Sequence, residues 1–298
     1  MRAERSAGWI GRWSARLCLP LLAGAFVACN VAVAAQAPVR VLTFNIRYGT
    51  ANDGAHSWAN RRAAVVGTIA DHAPHLLGAQ EALRFQLEEI AAALPRYRVI
   101  GVGRDDGVTS GEYSAILVDT VRFSVLSSGT FWLSDTPEVP GSMHWGNRIT
   151  RITTWARLRD RATGDTVRIY NAHWDHESQP SRERSAALML ARIESDGPRA
   201  DGVLVLGDFN SDEANPAFKA LLSHPTVRLW DSFRARQADA AVVGTFNSFR
   251  GDSTGGKIDA VLVGRGWIVD GAGIERRKWG DVWASDHFAV WAIVKRQE

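Results

Sequence analysis

Four consecutive apolar residues, Val203-Leu204-Val205-Leu206, run directly into Gly207-Asp208-Phe209-Asn210. A strand that is apolar at every position is buried on both faces, which restricts the fold to one that covers it on both sides. The polar end of the run then raises a question of chemistry. Residues two apart on a strand share a face, so Asp208 and Asn210 can converge on one point. Gly207 lets another group approach the backbone closely. Gly, Asp and Asn also form turns, and a plain turn accounts for the tetrad equally well on its own. Two further carboxylates weigh against that reading. Glu81 and Asp286 also stand at predicted strand ends, and Asp286 is followed by His287.

The N-terminus reads as a secretory signal. Arg2, Arg5, Arg12 and Arg16 form a basic region, and Leu17 to Ala28 is apolar but short for a bilayer span. Ala32-Val33-Ala34 is a small-x-small cleavage site, so residues 1–34 are expected to be removed. A lipoprotein anchored at Cys29 ranks second, because Phe26 is a poor start for a lipobox. The segment carries four Arg and one Glu, a net of +3, equal to the net of the whole chain. The mature domain, residues 35–298, is therefore close to neutral, and the basic pI is no sign of nucleic-acid binding. Both cysteines, Cys18 and Cys29, lie in the signal, so the mature domain has neither disulfide nor Cys-ligated metal. A periplasmic or secreted protein, monomeric and without a stable membrane span, is expected.

Beyond the signal, strands outnumber helices. Strands are predicted over Val39–Asn45, His75–Ala79, Tyr97–Val102, Ile149–Leu158, Thr166–Ala172, Lys257–Val263 and Phe288–Val294, with Tyr113–Val118 and Val121–Leu126 as a hairpin pair. Helices are predicted over Trp58–Ala70, Leu83–Leu94, Ser181–Ile193 and Ala214–Leu222. No repeat or linker interrupts them. The pattern argues for one domain of two packed sheets with helices outside, not a doubly wound parallel sheet.

Polar groups recur at the strand ends: Asn45, Glu81, His173, Asp208 with Asn210, Asp259, and Asp286-His287. One such residue is ordinarily structural, but six such positions suggest the rim of a shared site. Asp, Glu and Asn offer hard oxygen ligands that suit Mg²⁺ or Mn²⁺, with Glu81 and Asp286 as candidate ligands. His173 and His287 are candidates for proton transfer or for binding a phosphoryl oxygen, and Asp259 can orient His287. The set suggests attack of water on phosphorus, with a metal offsetting charge.

Thr43-Phe44-Asn45, Gln80-Glu81, Asn171-Ala172-His173, Gly207-Asp208-Phe209-Asn210 and Ser285-Asp286-His287 occur in an order that resembles the endonuclease/exonuclease/phosphatase superfamily. DNase-I-like nucleases, inositol phosphatases, bacterial sphingomyelinases and deadenylases belong to it. Gly111-Glu112-Tyr113-Ser114-Ala115-Ile116, Gly129-Thr130-Phe131-Trp132-Leu133-Ser134 and His173-Trp174-Asp175-His176 look like a bacterial branch of metal-dependent hydrolases. The resemblance spans about Val39 to Val294. It implies an α/β four-layer αββα sandwich of two mixed sheets flanked by helices. It implies that Glu81 holds Mg²⁺ with Asn45 and Asp286 nearby, and that Asp208 aligns or deprotonates water with support from Asn210. It further implies that His173 contacts the phosphate, and that His287, held by Asp259, stabilises the phosphoryl group or acts as acid/base. It also draws attention to Tyr113.

Arg148 and Arg151 can meet a phosphate, although ion-paired arginines are commoner. Arg151 and Trp174, which adjoins His173, join Tyr113 as candidate substrate contacts. Asp175 and His176 can support His173 or simply belong to a solvated loop. An exported Mg²⁺-dependent phosphoesterase acting on a monoester or diester is the leading reading. A small phosphoester is favoured, because no predicted helix carries a run of Lys or Arg to grip a polyanion. The alternatives are a secreted DNase-I-like endonuclease, a phospho-ligand-binding protein on the same scaffold, and, ranked below these, a two-carboxylate glycosidase.

Overall fold

The computed structural model describes residues 8, 37–196 and 202–297. Residue 8 aside, the expected signal over residues 1–34 lies outside the described residues, and so do Cys18 and Cys29. The elements are β1 (Val39–Asn45), α1 (Trp58–His72), β2 (Leu76–Ala82), α2 (Arg84–Ala93), β3 (Tyr97–Ile100), β4 (Tyr113–Asp119), β5 (Phe123–Trp132), β6 (Ile152–Asp160), β7 (Thr166–His173), α3 (Gln179–Ser195), β8 (Val203–Asp208), α4 (Pro216–Ser223), β9 (Trp230–Asp231), α5 (Ser232–Arg236), β10 (Asp259–Val263), β11 (Trp267–Glu275) and β12 (Ala289–Arg296). They form two six-stranded mixed sheets, ordered β11-β12-β1-β2-β4-β3 and β5-β6-β7-β8-β10-β9. No helix among the described residues is long and apolar enough to cross a membrane.

The two-residue period of the strands assigns each side chain to a layer. Val39 and Val41 of β1, Leu76 of β2, Leu204 and Leu206 of β8, and Val261 and Val263 of β10 meet in a core between the sheets. Their neighbours turn outwards. Leu42, Phe44 and Leu77 pack beneath α1 and α2 with Val65, Ile69 and Leu87. Val203, Val205 and Leu262 pack beneath α3 and α4 with Met189, Ile193 and Phe218. Burial on both faces explains why β8 is apolar at every inner position, and the result is the expected helix–sheet–sheet–helix sandwich.

The expected hairpin over Tyr113–Val118 and Val121–Leu126 is corrected by the pairing. β4 pairs with β2 and β3, whereas β5 pairs with β6 in the other sheet. Asp119 donates its N–H to the His75 carbonyl at 3.0 Å, and its Oδ1 accepts the Val121 N–H at 3.0 Å, so the chain turns out of one sheet and into the other. Alternating patterns reveal strands but not their partners. β11 and α5 were not expected, and β5 runs on to Trp132.

Towards one edge of the sandwich the inter-sheet layer turns polar. Gln80 donates through Nε2 to Thr43 Oγ1 at 2.9 Å and to Asn171 Oδ1 at 2.6 Å. Asn171 donates in turn to the carbonyls of Ala79 at 3.1 Å and Ala115 at 2.8 Å. This fully buried network ties the two sheets together beneath the site, with Gln80 Oε1 left as its one buried acceptor without a partner. Gly78 makes room for it. A Cβ there would lie 2.7 Å from Asn171 Oδ1.

Candidate active site

The topology brings the polar strand ends to this edge. Asn45 and Glu81 lie at the ends of β1 and β2, which are parallel, and His173 and Asp208 end β7 and β8, also parallel. β4, β10 and β12 run antiparallel to β2, β8 and β1, so Glu112, Asp259 and Asp286-His287 at their starts arrive at the same edge. Asp259 is the first residue of β10, not the end of a strand, and it faces Asp208 across the ladder. Glu81, Glu112, His173, Asp208, Asp286 and His287 line a cleft of about 640 Å³, a volume suited to a small molecule, with Asn45 and Asp259 fully buried behind them.

Asp208 is its buried centre. Oδ1 accepts the Asn210 N–H at 2.9 Å, and Oδ2 accepts Asn45 Nδ2 at 3.0 Å. His173 Nε2 and His287 Nε2 stand 3.5 and 3.7 Å from the same Oδ2. Burial, followed by repulsion from Asp259, pushes the Asp208 carboxyl up to about 7. Burial opposes a charge on His287, but attraction from Asp259 and Asp208 outweighs it and raises its pKa well above the ordinary value. Asp259 Oδ2 lies 2.9 Å from His287 Nδ1. His173 shifts the other way, lowered by burial and by Arg151. One imidazole is thus held charged and the other neutral on either side of one carboxylate.

Asn210 reaches the cleft by a route that strand geometry did not anticipate. β8 ends at Asp208, and Asn210 takes a left-handed backbone at φ 44°. Its Nδ2 donates to the Trp174 carbonyl at 2.9 Å. The tetrad is a turn and part of the site at once. Gly207 packs tightly beneath it, since a Cβ would lie 2.3 Å from the Ala172 carbonyl oxygen.

A second group of oxygens adjoins the first. Asn45 Nδ2 also donates to Glu81 Oε1 at 2.9 Å, and Tyr48 N–H donates to Glu81 Oε2 at 3.2 Å. Glu81 sits at a break in the β2–β4 register with φ 57°, so the bulge re-aims its carboxylate into the cleft. Ser285 Oγ donates to the Asn45 carbonyl at 2.7 Å and lies 3.1 Å from Asp286 Oδ1, which couples Asp286 to β1. Burial raises the Asp286 pKa.

These residues fit a hard divalent cation. Glu81 and Asp286 already face one positive group, the Arg47 guanidinium, at 3.9 and 3.8 Å, and the donors are all oxygen. Asp208, Asp259 and His287 form another group whose ligand atoms lie within 4.8 Å of one another, although the His287 ring is already engaged with Asp259.

Two expected substrate contacts are corrected by strand parity. Ile116 and Val118 of β4 face the other sheet, so Glu112 shares their side and enters the cleft, whereas Tyr113 turns away. Tyr113 is buried under the α2 side and donates to the Val108 carbonyl at 3.0 Å. Trp174 likewise follows Tyr170 and Ala172 into the core beneath α3, where it packs on Phe209 and Met189. Arg151 does line the cleft, with Nε 3.5 Å from Asp175 Oδ2 and Nη2 2.8 Å from His176 Nδ1. Asp175 and His176 therefore act on Arg151. Arg148 is exposed and lies near Glu177 instead.

Sequence reasoning missed Arg47, Arg104 and Glu112. Arg47 is gripped by both oxygens of Asp53 at 3.0 Å. Arg104 pairs with Glu112 at 2.6 and 2.9 Å. It also missed Arg61, which is fully buried and donates to the carbonyls of Ile46, Arg47, His56 and Ala284, pinning the loops around the site. Strain collects here too. Arg47, Glu81, Asn210, Ser248 and Phe249 all have positive φ without being glycine, and all line the cleft.

The fold and this constellation define a phosphoester-cleaving class of enzyme. Residues 42–287 match the model of the Endonuclease/Exonuclease/phosphatase family, and the chain belongs to that family. An endonuclease/exonuclease/phosphatase from Bacteroides vulgatus is 34% identical with a TM-score of 0.81, covering 88% of this chain and 100% of its own. A mannosyl-6-phosphatase from Bacteroides thetaiotaomicron is 32% identical with a TM-score of 0.79, covering 86% and 99%. The catalytic domain of human Nocturnin, at 15% identity and a TM-score of 0.70, covers 87% and 94% and shares the fold. No curated protein matches the chain.

Proposed function

We propose that the chain is an exported, Mg²⁺-dependent phosphoesterase that hydrolyses a small phosphoester by attack of water. The observation that carries this reading is the convergence of His173 and His287 on Asp208 Oδ2, with Asn45 bridging that carboxylate to Glu81. Asp208, poised near neutrality, takes the proton of the attacking water or aligns it. His287, kept charged by Asp259, faces the phosphoryl oxygens or protonates the leaving oxygen, and neutral His173 donates to the phosphate. Glu81 and Asp286 would hold the cation, which would supply charge neutralisation of the phosphoryl group; Asn45, whose Oδ1 accepts the Arg47 N–H, would steady Glu81 through Nδ2 and not ligate the ion.

Charge balance supports a small substrate over a long polyanion. The cleft arginines Arg47, Arg104 and Arg151 are matched by Asp53, Glu112 and Asp175, so they do not form a bare cationic track. The 32% identical mannosyl-6-phosphatase adds weight to a phosphomonoester. Export rests on the signal-like residues 1–34.

The test is a metal-dependent activity panel at several salt concentrations, comparing plasmid DNA with chromogenic mono- and diesters. Turnover of a small ester with a shallow salt dependence is expected. Efficient DNA cleavage with a steep salt slope and poor turnover of small esters would make the protein a nuclease. Tight phosphate binding without turnover would make it a binding protein.

A further inference from the structure

The organic group of the ester must lie beside the phosphate, and the cleft offers it two unlike walls. One wall continues from His173. Glu112 Oε2 lies 4.0 Å from His173 Nδ1 and is clamped by Arg104. Arg151 and His176 extend this wall, joined at 2.8 Å. The other wall continues from His287. The Phe246 ring meets the His287 ring at a centroid distance of 5.1 Å and is 46% exposed. Phe249 stacks on His56 at 4.5 Å with the rings within 3° of parallel.

Both walls are fixed before any ligand arrives. Ser248 and Phe249 hold φ of 56° and 57°, conformations that persist only where neighbours over-determine them. The Asp286 carbonyl accepts the Ser248 N–H at 3.0 Å, and Asn247 Oδ1 accepts the Phe249 N–H at 2.9 Å. The aromatic wall is thereby anchored to the strand start that carries Asp286 and His287. On the opposite side Asp175 steadies Arg151.

These walls ask for a ligand with hydroxyls along one edge and an apolar C–H face. The arginines supply donors and Glu112 supplies acceptors, in paired planar groups suited to several hydroxyls. The exposed aromatic ring supplies a flat apolar surface. A plain aryl group would satisfy the ring but would offer no hydroxyls to the remaining donors and acceptors of the paired wall. A pyranose meets both demands. We propose that Arg104, Glu112, Arg151 and His176 on one side, and Phe246 and Phe249 on the other, form a hexose subsite, so that the substrate is a sugar phosphate. The inference rests on the phosphoesterase reading above.

The test measures kcat/KM on the mature protein with Mg²⁺ for a series of hexose 6-phosphates, glycerol 3-phosphate and p-nitrophenyl phosphate. A site built for hydroxyls rejects analogues that lack them, so the best hexose phosphate should exceed glycerol 3-phosphate by about 10²-fold. Glu112→Gln, which keeps the side-chain shape, should lower the hexose-to-aryl ratio by roughly tenfold or more, whereas Phe249→Ala should lower kcat/KM for both esters. The free hexose should also inhibit competitively. Equal turnover of the aryl and the best hexose ester, with a ratio unmoved in Glu112→Gln, would overturn the subsite and leave the phosphoesterase standing. Failure to cleave any ester with any divalent cation would overturn both.

Discussion

Replacing Asp208 with asparagine should abolish turnover and, above neutral pH, improve the balance of folding. The carboxylate is fully buried and accepts two hydrogen bonds, from the Asn210 N–H and from Asn45 Nδ2. Asparagine has one acceptor oxygen, so one donor loses its partner, at a cost of about 1–3 kcal/mol. The wild-type carboxyl carries a cost of its own. Its folded pKa, about 7, lies above the ordinary 3.8. The native state therefore holds more protons than the unfolded chain between these values, and stability falls as pH rises through that window. The penalty is on the order of 1–2 kcal/mol at pH 5 and about 4 kcal/mol at pH 8, and Asp208→Asn escapes it. The variant should gain about 2–3 kcal/mol on wild type between pH 5 and pH 8. Urea unfolding of both proteins in EDTA, at the two pH values, measures this. Activity should fall by at least ~10²-fold at both. Parallel stability curves, with no change in the difference between the proteins, would refute the placement of a strained, buried acid at the centre of the site.

Glu81→Gln should lower turnover by at least ~10²-fold and weaken Mg²⁺ binding by calorimetry, with little change in Tm; unchanged Mg²⁺ affinity would count against Glu81 as a ligand. Asp259→Asn and His287→Ala should each impair turnover, and the double variant should be little worse than the poorer single one, because a pair acting as a unit is non-additive; losses that multiply would separate their roles. Gly78→Ala would place a Cβ 2.7 Å from Asn171 Oδ1 and should destabilise the fold by about 2–3 kcal/mol, read as a lower urea midpoint. Intact mass of the protein recovered from periplasm or medium should show cleavage near Ala34, whereas retention of Met1 or a lipidated Cys29 would contradict the signal reading.

The strands that frame the site were legible because their chemistry is local. β1, β7 and β8 end where an apolar pattern meets Asn45, His173 and Asp208, and the structure brings those residues together at one sandwich edge. Sheet membership was not legible. β4 and β5 both read as strands, yet the turn at Asp119 sends them into different sheets. Parity along a strand is legible once one residue's side is known. Counting by two from Ile116 places Glu112 in the cleft and Tyr113 outside it, and counting from Tyr170 buries Trp174. Arg47, Arg61 and Arg104 gave no usable signal, because an arginine's partner is set by tertiary approach. Arg61 meets carbonyls as distant in sequence as Ala284. Glu81 reaches the site only through a bulge and a left-handed backbone, which no strand periodicity encodes.

The central claim is that Glu81 and Asp286, with Asn45 steadying Glu81, hold the cation that Asp208, His173 and His287 need for phosphoester hydrolysis. Its most direct test is phosphate release from a small phosphomonoester by the mature protein, stripped with EDTA and then titrated with Mg²⁺, beside Glu81→Gln. Activity should vanish on stripping, return saturably with Mg²⁺ in the wild type, and stay at least ~10²-fold lower in the variant at the same Mg²⁺. Full turnover in EDTA, or equal recovery of the two proteins at low Mg²⁺, would contradict it.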